Sequence, residues 1–430
     1  MVAYMRMDAY RRRIVDTELD ELLPGLAAIA IEGAKGVGKT ATAQRRAHAV
    51  FALDDEQQRS LLAADPGRLD REHGTVLIDE WQRHPAVWDE VRRSVDRDPR
   101  AGRFLLTGSA VPTEAPMHSG AGRIVQVRMR PMSLAERGIS EPTVSLRTLF
   151  SGRRHPLEGE SPVDLPQYVE EIVGSGFPGI RPLTGRARRA QLDGYIARIV
   201  ERDFPEQGHQ VRRPATLRAW LTAYAAATAT TASYNAILDA ATSGESDRPA
   251  KSTTITYRDA LTQLWLLEPI PSWLPVDNAF ARLAQVPKHY LVDPALSARL
   301  LDLTSDALLS GSGSGVRASY STNLLGQLFE ALVALDLQVY AQDNEARVHH
   351  LRTRNGDHEV DFIISGPGGR IIAIETKLSA TVDEQDLTHL RWLKSKVGDL
   401  LADALVVTTG RYAYRRPDGI AVVPAALLGP

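Results

Sequence analysis

The octapeptide Gly33-Ala34-Lys35-Gly36-Val37-Gly38-Lys39-Thr40 satisfies the pattern G-x-x-x-x-G-K-[ST] at every fixed position. Its glycines permit backbone dihedrals that turn successive N–H groups toward one point, the geometry of an anion cradle. A helix starting at Lys39 adds the positive end of its dipole to the same point. Lys39 would then reach the β- and γ-phosphates of a nucleoside triphosphate, and the Thr40 hydroxyl would ligate Mg²⁺. The expected ligands are ATP and Mg²⁺, with all eight residues in the nucleotide site. Asp79 and Glu80 directly follow the apolar run Thr75–Ile78. That strand end is where an ATPase needs one carboxylate beside the metal and one to activate water. Asp79 is assigned to the metal and Glu80 to the base. Thr107 and Ser109 end a third apolar run, Phe104–Leu106, and suit either γ-phosphate sensing or ordinary turn chemistry.

A second group of chemically capable residues lies after residue 320. Asp361 falls on one predicted strand, in Glu359-Val360-Asp361, and Glu375-Thr376-Lys377 on the next. Side chains two apart on a strand share a face, so Glu375 and Lys377 point the same way, as do Glu359 and Asp361. Paired strands would bring these groups to one spot, with Glu330 on the preceding helix as a further metal ligand. Asp361 and Glu375 offer hard oxygen donors for a divalent ion that polarises a phosphodiester, and Lys377 would stabilise charge on the phosphate or orient water.

These residues need elements to hold them. Leu26–Ile31, Thr75–Ile78 and Phe104–Leu106 read as buried parallel strands, with helices over Lys39–Val50 and Ala86–Val95. Such alternation predicts an α/β domain with a parallel sheet over residues 1–150. Residues 151–315 read as mostly helical. Alanine-rich Leu217–Ala241, then Thr254–Leu267, then the extended Pro269–Pro275 suit either a winged-helix module or a plain helical connector. If the module binds DNA, Lys251, Tyr257 and Arg258 are its expected contacts. The run Ser310–Gly315 reads as a linker. Residues 316–430 then read as helix (Leu324–Val339), strands at Arg347–Thr353, His358–Ser365 and Arg370–Ser379, a helix near Glu384–Lys396 and a strand at Ala404–Thr408.

At 430 residues the chain exceeds a single core. A net charge of -2 argues against a nucleic-acid coat without excluding a local basic groove. The clusters Arg11–Arg13, Arg186 with Arg188 and Arg189, and Arg415–Arg416 are best read as solvated faces. With no cysteine, disulfides and thiolate metal sites are ruled out. There is no run of eighteen apolar residues and the first sixteen residues lack a signal-peptide core, so the expectation is a cytoplasmic chain without a membrane span.

The set GAKGVGKT, LIDEWQRHPAVWDEVRR, FLLTGS, GAGRI and PMSLAERG resembles bacterial and archaeal AAA-like ATPases that carry a C-terminal domain of unknown function. The resemblance continues through Gly176-Phe177-Pro178 and Lys288-His289-Tyr290-Leu291-Val292-Asp293. It implies Arg123, of the pair Gly122-Arg123, as an arginine finger, and leaves oligomerisation open. The Asp361…Glu375-x-Lys377 spacing and element order resemble the restriction-endonuclease-like superfamily, with Thr376 where many relatives are apolar. Together the two resemblances imply an ATP-dependent enzyme acting on nucleic acid, DNA before RNA. The alternative is a nucleotide-controlled switch or scaffold whose C-terminal domain binds without cleaving.

Overall fold

The computed structural model describes residues 10–109, 119–152, 156–208, 214–242, 251–273, 286–310, 316–353 and 356–430. The chain divides into two compact units. The first comprises Met1–Arg130 with Arg202–Gln210 and Asp259–Leu266; the second comprises Pro131–Glu201, Val211–Arg258 and Leu267–Pro430.

The first unit is built on five parallel strands, β1 (Ala28–Glu32), β2 (Ala49–Ala52), β3 (Val76–Asp79), β4 (Phe104–Gly108) and β5 (Ile124–Arg128), in the order β2-β3-β4-β1-β5. Every residue of β1, β3 and β4 is buried, as expected for central strands covered on both faces. The helix after β1 is shorter than its sequence pattern predicts. It runs Lys39–Gln44 only, and Ala49–Val50 open the edge strand β2. The helix Ala86–Arg97 buries Val87, Trp88, Val91 and Val95 against the sheet. That is the stripe expected from a 3.6-residue period.

The second unit holds a seven-stranded mixed sheet. Its strands are β7 (Gly159–Glu160), β8 (Arg347–Arg352), β9 (Glu359–Ser365), β10 (Ile371–Lys377), β11 (Leu401–Thr408), β12 (Tyr412–Arg415) and β13 (Ala421–Pro424), ordered β7-β12-β13-β11-β10-β9-β8. A two-stranded ladder pairs β6 (Val144–Ser145) with β14 (Leu428–Gly429). The strands β8, β9 and β10 form an antiparallel run, and β11 then joins β10 in parallel after the helix Thr388–Val397. The preceding helix, Val316–Asp343, has one apolar window from Asn323 to Asp343 long enough for a membrane span, but 72% of that window is buried inside the protein. Its apolar surface is therefore used in core packing.

The alanine-rich region is two helices, Pro214–Ala226 and Tyr234–Ala241. Ala229 adopts the left-handed conformation (φ 59°), and Ser233 caps the second helix through the Ala236 N–H. Alanine carries no breaking signal, so its periodicity conceals the turn. A third helix, Lys251–Gln263, follows. After it, Leu267 and Ile270 pair antiparallel with Leu291 and Lys288, and on the other side His289 exchanges backbone hydrogen bonds with Ala229 and Thr230. Tyr257 is buried edge-on to Trp220, and the Arg258 guanidinium lies 5.3 Å from the Tyr234 ring. The expected DNA-contacting role of Tyr257 is thus corrected: its ring is core. The Lys251 side chain and residues 311–315 of the expected linker lie outside the described residues.

Candidate functional site

The carboxyl ends of β1, β3 and β4 are adjacent, and each carries chemically capable residues at or next to its end: Glu32, Asp79 with Glu80, and Thr107 with Ser109. The loop after β1 approaches the end of β5 so closely that a Cβ on Gly33 would lie 2.1 Å from the Met129 carbonyl oxygen. Gly36 and Gly38 have φ of 83° and 107°, in the region that favours glycine. Ala34 and Val37 are fully buried, so they serve the site through their backbone. The Arg13 guanidinium donates to the Val37 carbonyl (2.9 Å) and the Arg130 carbonyl (2.8 Å). Arg13 is therefore a buried brace for the loop, which corrects its reading as part of a solvated cluster. Likewise Arg415 makes a bidentate pair with Asp403 at 2.8 Å.

The Lys39 ammonium donates to the carbonyls of Gly33 (2.7 Å) and Ala34 (2.9 Å). Burial lowers its pKa to about 8, partly opposed by the charge of Glu80. The Thr40 hydroxyl donates to Asp79 Oδ1 at 2.8 Å, and the Thr107 hydroxyl donates to the same oxygen. Burial raises the pKa of Asp79 against these two hydrogen bonds. Glu80 sits in the left-handed region (φ 56°, ψ 45°), an uncommon place for a non-glycine residue and a form of strain that clusters at functional sites. Its Oε2 accepts from Gln82 Nε2 (2.6 Å) and Ser109 Oγ (3.3 Å). The two hydroxyls at the end of β4 and just beyond it are thus divided, Thr107 to Asp79 and Ser109 to Glu80. Lys35 is more exposed, 3.6 Å from Asp203.

Thr40 Oγ1 and Asp79 lie within one hydrogen bond of each other beside the phosphate loop, and this hard-oxygen pair fits Mg²⁺. Bound there, Mg²⁺ would supply charge neutralisation at the phosphates.

Arg123 is not brought to this site. Ile124 pairs with Ala28 in parallel register, so Arg123 lies at the opposite end of the sheet, about six residues or ~20 Å of strand from Gly33. It forms an ion pair with Asp96 at 2.8 Å. The same register places Arg128 beside Glu32, the residue before Gly33, with its guanidinium 3.8 Å from the Trp265 ring. Sequence reasoning missed both. Glu32 is buried, which raises its pKa, and accepts from Gln126 at 2.8 Å. A polar residue closing an apolar strand just before a phosphate loop is the signal that would have found it.

In the second unit, Asp361 lies on β9 and Glu375 and Lys377 on its antiparallel neighbour β10, where the charge of Asp361 bears on Glu375. Thr376 donates both its N–H (2.9 Å) and its hydroxyl (2.8 Å) to Asp361 Oδ2, so the polar middle residue serves the cluster. The centre of the group is a residue that sequence reasoning did not include. Lys288 Nζ lies 2.8 Å from Glu330 Oε1, 2.9 Å from Asp361 Oδ1 and 3.3 Å from Glu359 Oε1. Tyr290 donates to Glu330 at 2.6 Å. Lys288 and Tyr290 are two apart on an extended segment and face the carboxylates together, whereas His289 turns away to Tyr224 and the Ala232 carbonyl. Burial would lower the Lys288 pKa, but Asp361 and Glu330 outweigh it and hold the ammonium charged. Burial and the neighbouring Asp361 raise Glu330 to about 7 and push Glu375 well above the usual carboxylate range. Lys377 points toward Asp386, 3.6 Å away. Among the described residues no three His, Asp or Glu side chains converge on a common metal position. The donor set expected for a metal therefore does not fit one in this arrangement, because an ammonium occupies its middle.

Three further motifs of the sequence meet in this unit. Asp293 accepts from Ser175 Oγ and the Gly176 N–H, both at 2.7 Å, and caps the helix Pro294–Leu300 through the Ala295 N–H. The Gly176 carbonyl in turn accepts from the Met132 N–H, and Ser133 forms a capping box with Glu136. Their role is to lock segments together.

The parallel sheet of the first unit is consistent with a P-loop domain, and residues 27–137 match the family model described as an AAA domain. Residues 325–428 match a domain of unknown function (DUF4143), and residues 165–307 match another (DUF8612). The chain thus carries an AAA-type domain toward its N-terminus and a DUF4143 domain at its C-terminus. It is 25% identical over 421 residues to the uncharacterized proteins Mb2031c of Mycobacterium bovis and Rv2008c of Mycobacterium tuberculosis, an alignment spanning 96% of this chain and 83% of each relative. The solved structure of Drosophila ORC bound to DNA aligns over 67% of this chain and 98% of its own at 11% identity, with a TM-score of 0.23.

Proposed function

We propose that this chain is a Mg²⁺-dependent ATPase that works as a nucleotide-controlled switch, its C-terminal domain engaging a partner without cleaving it. The observation that carries the reading is the cluster at the ends of β1, β3 and β4. A buried lysine lies in the phosphate loop, Thr40 and Asp79 share a hydrogen bond, and Glu80 is held in a strained conformation beside Ser109. In this reading the loop amides and Lys39 bind the phosphates, Thr40 and Asp79 hold the metal, and Glu80 accepts a proton from water. In this reading the arginine-finger role of Arg123 is exerted on a neighbouring copy, since Arg123 lies at the far end of its own sheet.

The three helices of residues 214–263 and the paired segments after them support a winged-helix reading. The order helix, three antiparallel strands, helix, parallel strand supports a restriction-endonuclease-like reading of the C-terminal domain. Nucleic acid, DNA before RNA, is the partner class these two readings favour. Binding without cleavage is preferred over a nuclease because Lys288 takes up the carboxylates that cleavage chemistry would direct to a metal. The test is retention of single- and double-stranded DNA and RNA by the full chain, with and without ATP, while the strands are examined for cuts. Nucleotide-dependent retention of intact strands supports the switch. Metal-dependent cleavage abolished by Glu375→Ala would replace it with the nuclease.

A further inference from the structure

Active carboxylate sites of the kind predicted for Asp361 and Glu375 need a cation to hold like charges close together. Here the chain supplies one. Lys288 is 1% exposed, and its three N–H bonds match three carboxylates, Glu330, Asp361 and Glu359, at 2.8, 2.9 and 3.3 Å. Its seat is fixed from both sides. The Lys288 N–H and carbonyl pair with Ile270, and the adjoining His289 pairs with Thr230. Tyr290, on the same face, holds Glu330 in place. Glu375, buried at 5% exposure, is the member left over, and its Oε1 is buried with no hydrogen-bond partner.

We propose that Lys288 is a tethered cation standing where a divalent metal would stand, so that the carboxylate site of the C-terminal domain is neutralised by the chain itself and takes no metal while Lys288 is present. The inference is independent of the ATPase reading, because it concerns only residues of the second unit.

The experiment is equilibrium Mn²⁺ binding to the full chain without nucleotide, read by electron paramagnetic resonance, alongside thermal unfolding with and without Mn²⁺. Wild type and Asp361→Asn are expected to bind the same amount of Mn²⁺. Lys288→Met, which keeps the stem and removes the charge, is expected to gain a Mn²⁺ site that Lys288→Met/Asp361→Asn lacks. Mn²⁺ should raise the unfolding midpoint of Lys288→Met by more than that of wild type or of Lys288→Met/Asp361→Asn, since an additional ion bound by the folded protein adds stability. Should Lys288→Met fail to fold, the wild-type comparison with Asp361→Asn still decides. Mn²⁺ binding by wild type that Asp361→Asn abolishes would overturn the proposal, as would a folded Lys288→Met that gains none. Either result leaves the Lys39-dependent ATPase reading untouched.

Discussion

Lys39 carries a consequence for pH. Its pKa in the folded chain is lowered by burial to about 8, whereas a phosphate-bound lysine is held charged. Bound nucleotide therefore keeps a proton that the free site gives up above pH 8. ATP affinity should be flat below that value and weaken above it, approaching about tenfold per pH unit. Isothermal titration across pH 7 to 9.5 would check this, and a constant affinity would contradict it. The residues of this site were legible because the octapeptide is contiguous and every position has a chemical reason. Glu32 and Arg128 were not, since only the register of β1 with β5 brings them beside the loop. Lys288 stands in the motif Lys288–Asp293, whose sequence assigns it no role. Its partners lie 42 and 73 positions away, and only the alternation of Lys288 and Tyr290 marks a shared face.

At the scale of elements, the close approach of the phosphate loop to β5 makes Gly33 a position where any side chain collides with backbone. Gly33→Ala should lower ATP affinity by at least about tenfold, or ~1.4 kcal/mol, in the same titration. The helix Val316–Asp343 offers a different test. Asp336 is buried, accepts from the Leu134 N–H at 2.8 Å, and has a pKa raised by burial to about 8. The folded state therefore binds a proton that the unfolded chain releases near its ordinary value. The associated stability is complete at low pH and is lost as pH rises through about 8, at no more than ~1.4 kcal/mol per unit. Asp336→Asn should remove that slope between pH 5 and 8 in urea unfolding; parallel curves for the two proteins would contradict the assignment. Element type was readable wherever burial imposed a period, as in β9, β10 and the helix Ala86–Arg97. The edge strand β2, with its mixed exposure, and the turn at Ala229 left no such pattern. The C-terminal strands β12 and β13 are short and went unread.

For the whole molecule, the linear reading of domains at 1–150, 151–315 and 316–430 does not express one feature. Segments Arg202–Gln210 and Asp259–Leu266, distant in sequence, cluster with the first unit. Composition changes along a chain mark linkers, but carry no signal for a segment that returns to an earlier unit. The account as a whole depends on nucleotide chemistry at the ends of β1, β3 and β4. Its most direct test is to measure Mg²⁺-ATP binding and phosphate release by wild type, Lys39→Ala and Glu80→Gln under one set of conditions. Wild type should bind and hydrolyse, Lys39→Ala should lose binding, and Glu80→Gln should bind as wild type but release phosphate about 10²-fold more slowly or less. Equal binding and equal phosphate release by all three proteins would contradict it.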